Sequence, residues 1–340
     1  MRCRPVQRVI WPELNLELSR LAFGCAPVMG RVGAREAVNA MAKAYELGVT
    51  HFDVARSYGF GDAERVLGRF IADKRSRVTV ATKFGILPDS GVGAAKKLLR
   101  PLVRVARNHI PAIAGAVKAA SGKSLVRASY DPQSVRRSVE ASLRELDTEV
   151  IDVLFAHDCG VEDGIDRIVP FLDDLKRAGK IRAWGLATDA ASVGRIGSLL
   201  GRHPDVIQVP YLGSETVEAL PSRKLLHSSI SIAKRFFGGD GRLLPPVESW
   251  AQHQGLDRRA ASELLPRLLL QATLNGSSDS VVICSMFAAS HIAANVEQVD
   301  SEVVLRPLLP SFRAMALPLL AGGASQAAAD KRPLIPHYAS

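Results

Sequence analysis

Gly48-Val49-Thr50-His51-Phe52-Asp53-Val54-Ala55-Arg56-Ser57-Tyr58-Gly59 is the stretch from which the fold is read. The helical pattern of residues 35–47 stops at Gly48, a residue suited to the left-handed turn that follows a helix. Residues 50–53 then form a short buried strand that ends on a charged group, Asp53. Helical periodicity resumes over residues 62–73. Helix, strand and helix follow one another too closely for a hairpin, so the pattern is that of a parallel sheet with crossover helices.

The same alternation extends in both directions. Strands are predicted at residues 20–24, 50–53, 78–83, 151–156, 182–187, 206–209, 229–234 and 280–284. Helices are predicted at residues 35–47, 62–73, 132–146, 164–178, 191–200, 215–226, 258–274 and 289–299. Residues 8–18 read as a hairpin ahead of the first unit. Asp131 is placed to cap a helix whose first residue, Pro132, needs no N–H donor. Gly179 suits the residue after the 164–178 helix.

Eight strand–helix units predict an α/β chain folded as a (β/α)8 TIM barrel. The rival is an open doubly wound sheet, which calls for a G-x-G-x-x-G turn after its first strand. Gly24-Cys25-Ala26-Pro27-Val28-Met29-Gly30 does not supply one. Residues 1–320 are expected to form one barrel domain. It carries an N-terminal β-hairpin and a basic insertion, residues 87–127, after the third strand. Residues 321–340, rich in Ala, Gly and Pro, are expected to be a mobile tail.

Of the 340 residues, 47% are apolar and 23% charged, a globular profile. No apolar run reaches the roughly 18 residues that span a bilayer, and the N-terminus lacks a signal-peptide core. Cys3, Cys25, Cys159 and Cys284 are scattered, which suits a reducing, cytoplasmic setting and gives no metal-ligand spacing. The net charge is +10, and eight Lys or Arg with no Asp or Glu fall between Lys96 and Arg127. That run lacks the interleaved aromatics of a single-strand binder, so no nucleic-acid partner is expected. No membrane partner is expected either, and binding of an anionic surface through residues 96–127 is a further reading.

Four polar residues are placed by these elements at the C-terminal mouth of the barrel, where this fold keeps its active sites. Asp53 ends the second strand, Tyr58 lies in the loop beyond, Lys83 ends the third strand and His157 follows the fourth. Each has an ordinary reading taken alone: a cap, a packing ring, a solvated amine, a satisfied core histidine. Their convergence on one rim is what points to chemistry.

The quoted segment, with Ala63-Glu64-Arg65-Val66-Leu67-Gly68, Ala81-Thr82-Lys83-Phe84-Gly85 and Ser142-Leu143-Arg144-Glu145-Leu146-Asp147 running on to His157, resembles the aldo-keto reductase family from about Arg20 to Asp300. The opening residues 24–30 resemble the sugar-oxidising, aldose or galactose dehydrogenase-like, branch. The resemblance implies a catalytic set of Tyr58, Asp53, Lys83 and His157. Tyr58 would donate the proton, Lys83 would lower its pKa, Asp53 would hold Lys83, and His157 would orient the substrate carbonyl.

The resemblance also implies cofactor contacts. Thr188 and Gln208 fall on positions that hydrogen-bond the nicotinamide carboxamide, and Lys234 on that of the ring that stacks on it. Arg235 and Gly238 fall in the phosphate loop. Ser285, His291 and Asn295 fall in the adenosine segment, with Ser285 and His291 where Lys and Arg often meet a 2′-phosphate. The implied activity is an NAD(P)-dependent oxidoreduction between a carbonyl (aldehyde, ketone or aldose) and an alcohol, with a small carbonyl or sugar as partner. NADPH is expected ahead of NADH, and no metal. The alternative is a cofactor-binding regulatory or subunit protein on the same barrel with little turnover.

Overall fold

The computed structural model describes residues 6–88, 125–210, 215–276, 278–300 and 305–329. An antiparallel hairpin opens it: β1 (Arg8–Trp11) pairs with β2 (Leu16–Ser19), Trp11 opposite Leu16. Eight parallel strands then close a barrel. In chain order they are β3 (Leu21–Gly24), β4 (His51–Asp53), β5 (Thr79–Phe84), β8 (Ile151–His157), β9 (Ile181–Ala187), β10 (Val206–Pro210), β11 (Arg223–His227) and β12 (Val281–Cys284). Each pairs with the next in this sequence, and β12 returns to β3. The closed-barrel expectation and the N-terminal hairpin both hold.

Successive strand residues face opposite sides, and this alternation sorts the barrel. Leu21, Phe23, Phe52, Val80, Leu154, Trp184, Ile207 and Val282 pack outward with helix residues such as Met41, Leu67, Val139 and Ile196. Ala22, Ala81, Val153, Phe155, Ala183, Val206, Leu225 and Val281 pack inward, with Trp11, Leu16 and Leu18 of the hairpin. The hairpin therefore plugs the amino end of the barrel with buried side chains. The Trp11 indole, fully buried, completes the seal by donating to Asp279 O at 3.0 Å.

The helices between these strands follow the expected patterns. They include α1 (Ala34–Glu46), α2 (Ala63–Ile71), α3 (Pro132–Leu146), α4 (Ile165–Arg177) and α5 (Ala190–Leu200). Asp131 caps α3 by accepting from Ser134 N at 2.9 Å. Gly48 and Gly179 take φ of +94° and +69°, the left-handed values their positions require.

The seventh unit differs from expectation. The helix expected over residues 215–226 is confined to α6 (Glu215–Glu218), and the strand is β11, Arg223–His227. Pro221 is the physical reason: it cannot continue a helix and biases the residue before it toward extended backbone. Residues 229–234, read as a strand from their alternating isoleucines, instead lie in a turn that runs into a 3-10 helix, Ser231–Phe236.

That 3-10 helix packs outside the barrel, with Phe236 against α7 (Pro245–His253), α8 (Arg258–Leu274) and α10 (Leu309–Ala329). Between α8 and α10 lies α9 (Ala289–Asp300). Helix α10 runs into the segment expected as a tail, and residues 330–340 lie outside the described residues. The insertion is entered by β6 (Ile86–Pro88) and left by β7 (Leu125–Arg127), which pair antiparallel as a stalk. Residues 89–124, most of the basic run, lie outside the described residues.

Candidate active site

The inward parity of the barrel continues to its carboxyl end. Asp53 stands two residues beyond His51, Lys83 two beyond Ala81 and His157 two beyond Phe155. Gln208, His227 and Ser285 stand two beyond Val206, Leu225 and Ile283 respectively. Apart from His51, apolar inward residues fill the barrel floor, and on six of the eight strands the next inward position carries a polar group, β3 and β9 offering Gly24 and Ala187 instead. A cavity of about 610 Å³ lies above them. Its lining includes Asp53, Tyr58, Lys83, His157, Gln208 and His227.

Lys83 is the hub. Its Nζ donates to Asp53 Oδ1 at 2.6 Å and to Val54 O at 2.9 Å. Lys83 is 2% exposed and Asp53 3%, so the pair is desolvated and must stay together. Gln208 Nε2 donates to the same Asp53 Oδ1 at 3.1 Å. The ammonium lies 5.2 Å from the centroid of the Tyr58 ring. Tyr58 and His157 meet edge to face, with centroids 6.3 Å apart and planes at 87°.

Tyr58 is delivered by a loop with its own anchor. Arg56 pairs with the buried Glu64 at 2.9 Å, and Thr82 of β5 donates to Glu64 at 2.6 Å. Gly59, at φ +58°, passes so close to the Val28–Met29 backbone that a Cβ there would lie 2.5 Å from Val28 O. Only glycine fits both demands.

Burial dominates the electrostatics. It pushes the Tyr58 hydroxyl above its ordinary value, and the Lys83 charge offsets only part of that rise. Lys83 does act to lower the Tyr58 pKa, as expected, but desolvation outweighs it and the net shift is upward. Burial alone would depress Lys83, but Asp53 and Tyr58 more than restore it, so the ammonium is held charged. His157 is pushed down to about 3 by burial, with Lys83, His227 and Arg127 adding to the effect. His227 falls to about 4, from burial and then Lys83. Both imidazoles are therefore neutral at ordinary pH. Cys25 and Cys159 are buried, and burial raises both thiols, Cys159 up to about 12. Neither is a nucleophile.

The catalytic set read from the sequence is brought together without exception. Of the expected cofactor positions, Thr188, Gln208 and Ser285 line the same cavity. The Ser285 hydroxyl also donates to Gly24 O at 3.2 Å. Lys234, Arg235 and Gly238 do not line it. The first two stand on the 3-10 helix beyond β11, where Arg235 reaches Leu320 O at 3.5 Å, and Gly238 belongs to a turn closed by its N–H to Arg242 O. His291 and Asn295 lie one turn apart on α9, outside the cavity lining.

With the seventh strand ending at His227, the ring at the mouth is His227 and not Lys234. Its Nδ1 is 2.8 Å from Ser228 Oγ. The signal was present in Leu225-Leu226-His227, two apolar residues and a polar ring just after Pro221. The isoleucines of the next turn masked it. Among the described residues no cluster of three His, Cys, Asp or Glu is set to hold a metal ion, and no helix is long and apolar enough to cross a membrane.

A sequence profile described as "Aldo/keto reductase family" matches residues 20–226. A probable aldo-keto reductase from Glycine max is 27% identical over 252 residues, 69% of this chain and 62% of that protein. The L-galactose dehydrogenase of Arabidopsis thaliana is 25% identical over 181 residues, 51% of this chain and 45% of that protein. The chain thus spans about half to three fifths of the length of these relatives. Among solved structures, an aldo-keto reductase from Bacillus halodurans superposes with a TM-score of 0.67 at 19% identity. That match covers 92% of this chain and 96% of the other, and it concerns the fold alone. The profile covers more than half of the chain, through the strands that carry Asp53, Lys83, His157 and Gln208, and the chain belongs to the aldo/keto reductase family.

Proposed function

We propose that the protein is an NAD(P)-dependent oxidoreductase that interconverts a small carbonyl compound, an aldehyde, ketone or aldose, with its alcohol. The observation that carries this reading is the convergence of the Tyr58 hydroxyl, the buried Lys83–Asp53 pair and the neutral His157 on one cavity floor.

The residues present fit a nicotinamide. Among the described residues Gln208 Oε1 is buried and without a hydrogen-bond partner, an acceptor for a donor such as a carboxamide N–H. Thr188, a neighbouring hydroxyl on the cavity wall, would hold the same group. When bound, the nicotinamide supplies the hydride that becomes the new C–H bond.

The chain's own residues then handle the oxygen. His157 Nδ1 is buried with no partner among the described residues. Placing the ring proton on Nε2 leaves an unpaired acceptor there rather than an unpaired donor, and aims a donor at the substrate oxygen. Tyr58 gives its proton to that oxygen. Lys83, charged and fixed by Asp53, stabilises the phenolate that remains. In the oxidative direction Tyr58 takes the proton back.

The pH dependence follows from the raised Tyr58 pKa. Oxidation of an alcohol requires the phenolate, so its rate is expected to climb about tenfold per pH unit between about pH 7 and 9. Carbonyl reduction requires the phenol and a neutral His157, and should be nearly flat over the same range. Initial rates in both directions across pH test this, and an oxidation rate that levels off below about pH 8 would contradict a raised Tyr58.

For the cofactor, we infer that both NADPH and NADH bind and that NADPH is favoured only modestly, by less than about tenfold. By the family resemblance, the neutral hydroxyl of Ser285 and the side chain of His291 fall on positions where Arg or Lys often meet a 2′-phosphate, and charge-assisted hydrogen bonds are roughly twice as strong as neutral ones. Fluorescence titrations with each cofactor measure the ratio, and a preference of a thousandfold would refute it. Turnover on a panel of aldehydes and aldoses with each cofactor tests the whole reading. The sugar-oxidising relative makes an aldose the first substrate to try.

A further inference from the structure

Among the described residues no side-chain hydrogen bond orients His157 through its buried Nδ1, and Tyr58 meets the ring edge to face. Its placement therefore rests on its backbone. We propose that Tyr130 is a positioning residue for His157, and that the stalk of the inserted segment holds the strand end on which His157 stands. This rests on the reading of His157 as the contact to the substrate oxygen.

Several bonds converge on that strand end. The Tyr130 hydroxyl donates to His157 O at 2.6 Å, and its ring is buried against Phe84. Arg127, the last residue of β7, donates to the next carbonyl, Asp158 O, at 3.0 Å. Asp158 takes φ of +55°, a left-handed conformation that aspartate adopts more readily than most non-glycine residues. Arg127 is itself tied to Asp163, whose carboxylate accepts from Gly160 N at 2.7 Å. The guanidinium lies 5.8 Å from the Tyr130 ring, so the two braces form one unit.

The neighbouring strand, β5, makes room for this reach. Gly85, at φ +101°, follows β5 directly, and a Cβ on it would lie 2.1 Å from the Tyr130 hydroxyl oxygen. Its carbonyl accepts from Ala128 N at 2.8 Å, which sets the chain leaving the stalk against the end of β5. Lys83 is two residues before Gly85, so the stalk is tied to the two strands that present Lys83 and His157. A side chain misplaced by about 1 Å can cost on the order of 10²-fold in rate.

The test is a cycle of Tyr130→Phe, His157→Gln and the double variant. Each is assayed for kcat and KM in the reduction of methylglyoxal by NADPH, with the NADPH Kd from fluorescence. Tyr130→Phe is expected to lower kcat about tenfold at unchanged NADPH Kd, and by less than twofold when His157 is already Gln. Equal losses in both backgrounds, or no loss in the wild-type background, overturn the brace. A His157→Gln variant with wild-type kcat overturns instead the role of His157, and the brace with it. Should Tyr130→Phe not fold, Arg127→Gln reads the same coupling from the second brace. It is expected to give a loss of a few fold that vanishes with His157→Gln, and a loss that persists there counts against the proposal.

Discussion

Tyr58→Phe is expected to lower turnover at least ~10²-fold while the fold and the cofactor affinity stay near those of the wild type. The substitution deletes one hydroxyl and leaves the ring, so the edge-to-face contact with His157 and the packing over Lys83 persist. Lys83 keeps its bonds to Asp53 and Val54 O, and the buried charge pair is undisturbed. What is lost is the proton that must reach the substrate oxygen as carbon gains its hydrogen. No other described group replaces it. His157 is pushed down to about 3, so as a neutral imidazole it is a hydrogen-bond donor and not a ready acid. Lys83 is held charged by Asp53 and by the Tyr58 hydroxyl itself. Steady-state kinetics with a saturating carbonyl substrate read the effect, and a kcat within a few fold of wild type would remove Tyr58 from its assigned role.

Lys83→Met should be the most destabilising single change in the site, at about 3–5 kcal/mol, because it leaves a buried carboxylate without its cation. Asp53 would retain only the amide of Gln208 at 3.1 Å. The double variant Asp53→Asn with Lys83→Met removes both charges and is expected to recover more than half of the loss. Urea unfolding of the three variants measures this. A single variant within about 1 kcal/mol of wild type would show that the pair is better solvated than its exposure of 2% and 3% implies. Linkage gives a second readout. The folded-state pKa of Lys83 is raised, so its stabilising contribution is fully present below the unfolded value of about 10.4 and is lost as pH rises through the folded one. Stability of the wild type should therefore decline in strongly alkaline solution more steeply than that of Lys83→Met.

The barrel itself was legible because its determinants are local. Strand-to-helix alternation, the Asp131 cap, and glycines at the helix exits Gly48 and Gly179 each report on a few neighbouring residues, and those signals agree with one another. The four candidate residues on the rim were legible from the resemblance and from their strand-end positions. A strand end is a sequence position, and in a parallel barrel all strand ends meet at one rim.

Pro221 shows where this reading fails even locally. Ile230 and Ile232 carried the alternation of a strand, yet the proline forces the strand to begin after it, and Ile232 packs into the outer cluster with Phe236 and Trp250. Placing the strand a few residues late assigns the mouth-facing position to Lys234 in place of His227, and takes Arg235 and Gly238 with it. The sequence by itself thus determined the architecture, the hairpin and the four residues on the rim, since each depends on periodicity and on neighbours in the chain. Only the tertiary structure decided that burial outweighs the Lys83 charge at Tyr58, and that Gln208 is anchored on Asp53, 155 positions away. It also decided that Tyr130 reaches the carbonyl of His157 through the gap left by Gly85. Desolvation and contacts between distant strands arise from how the closed barrel brings chain segments together, and no local pattern encodes them.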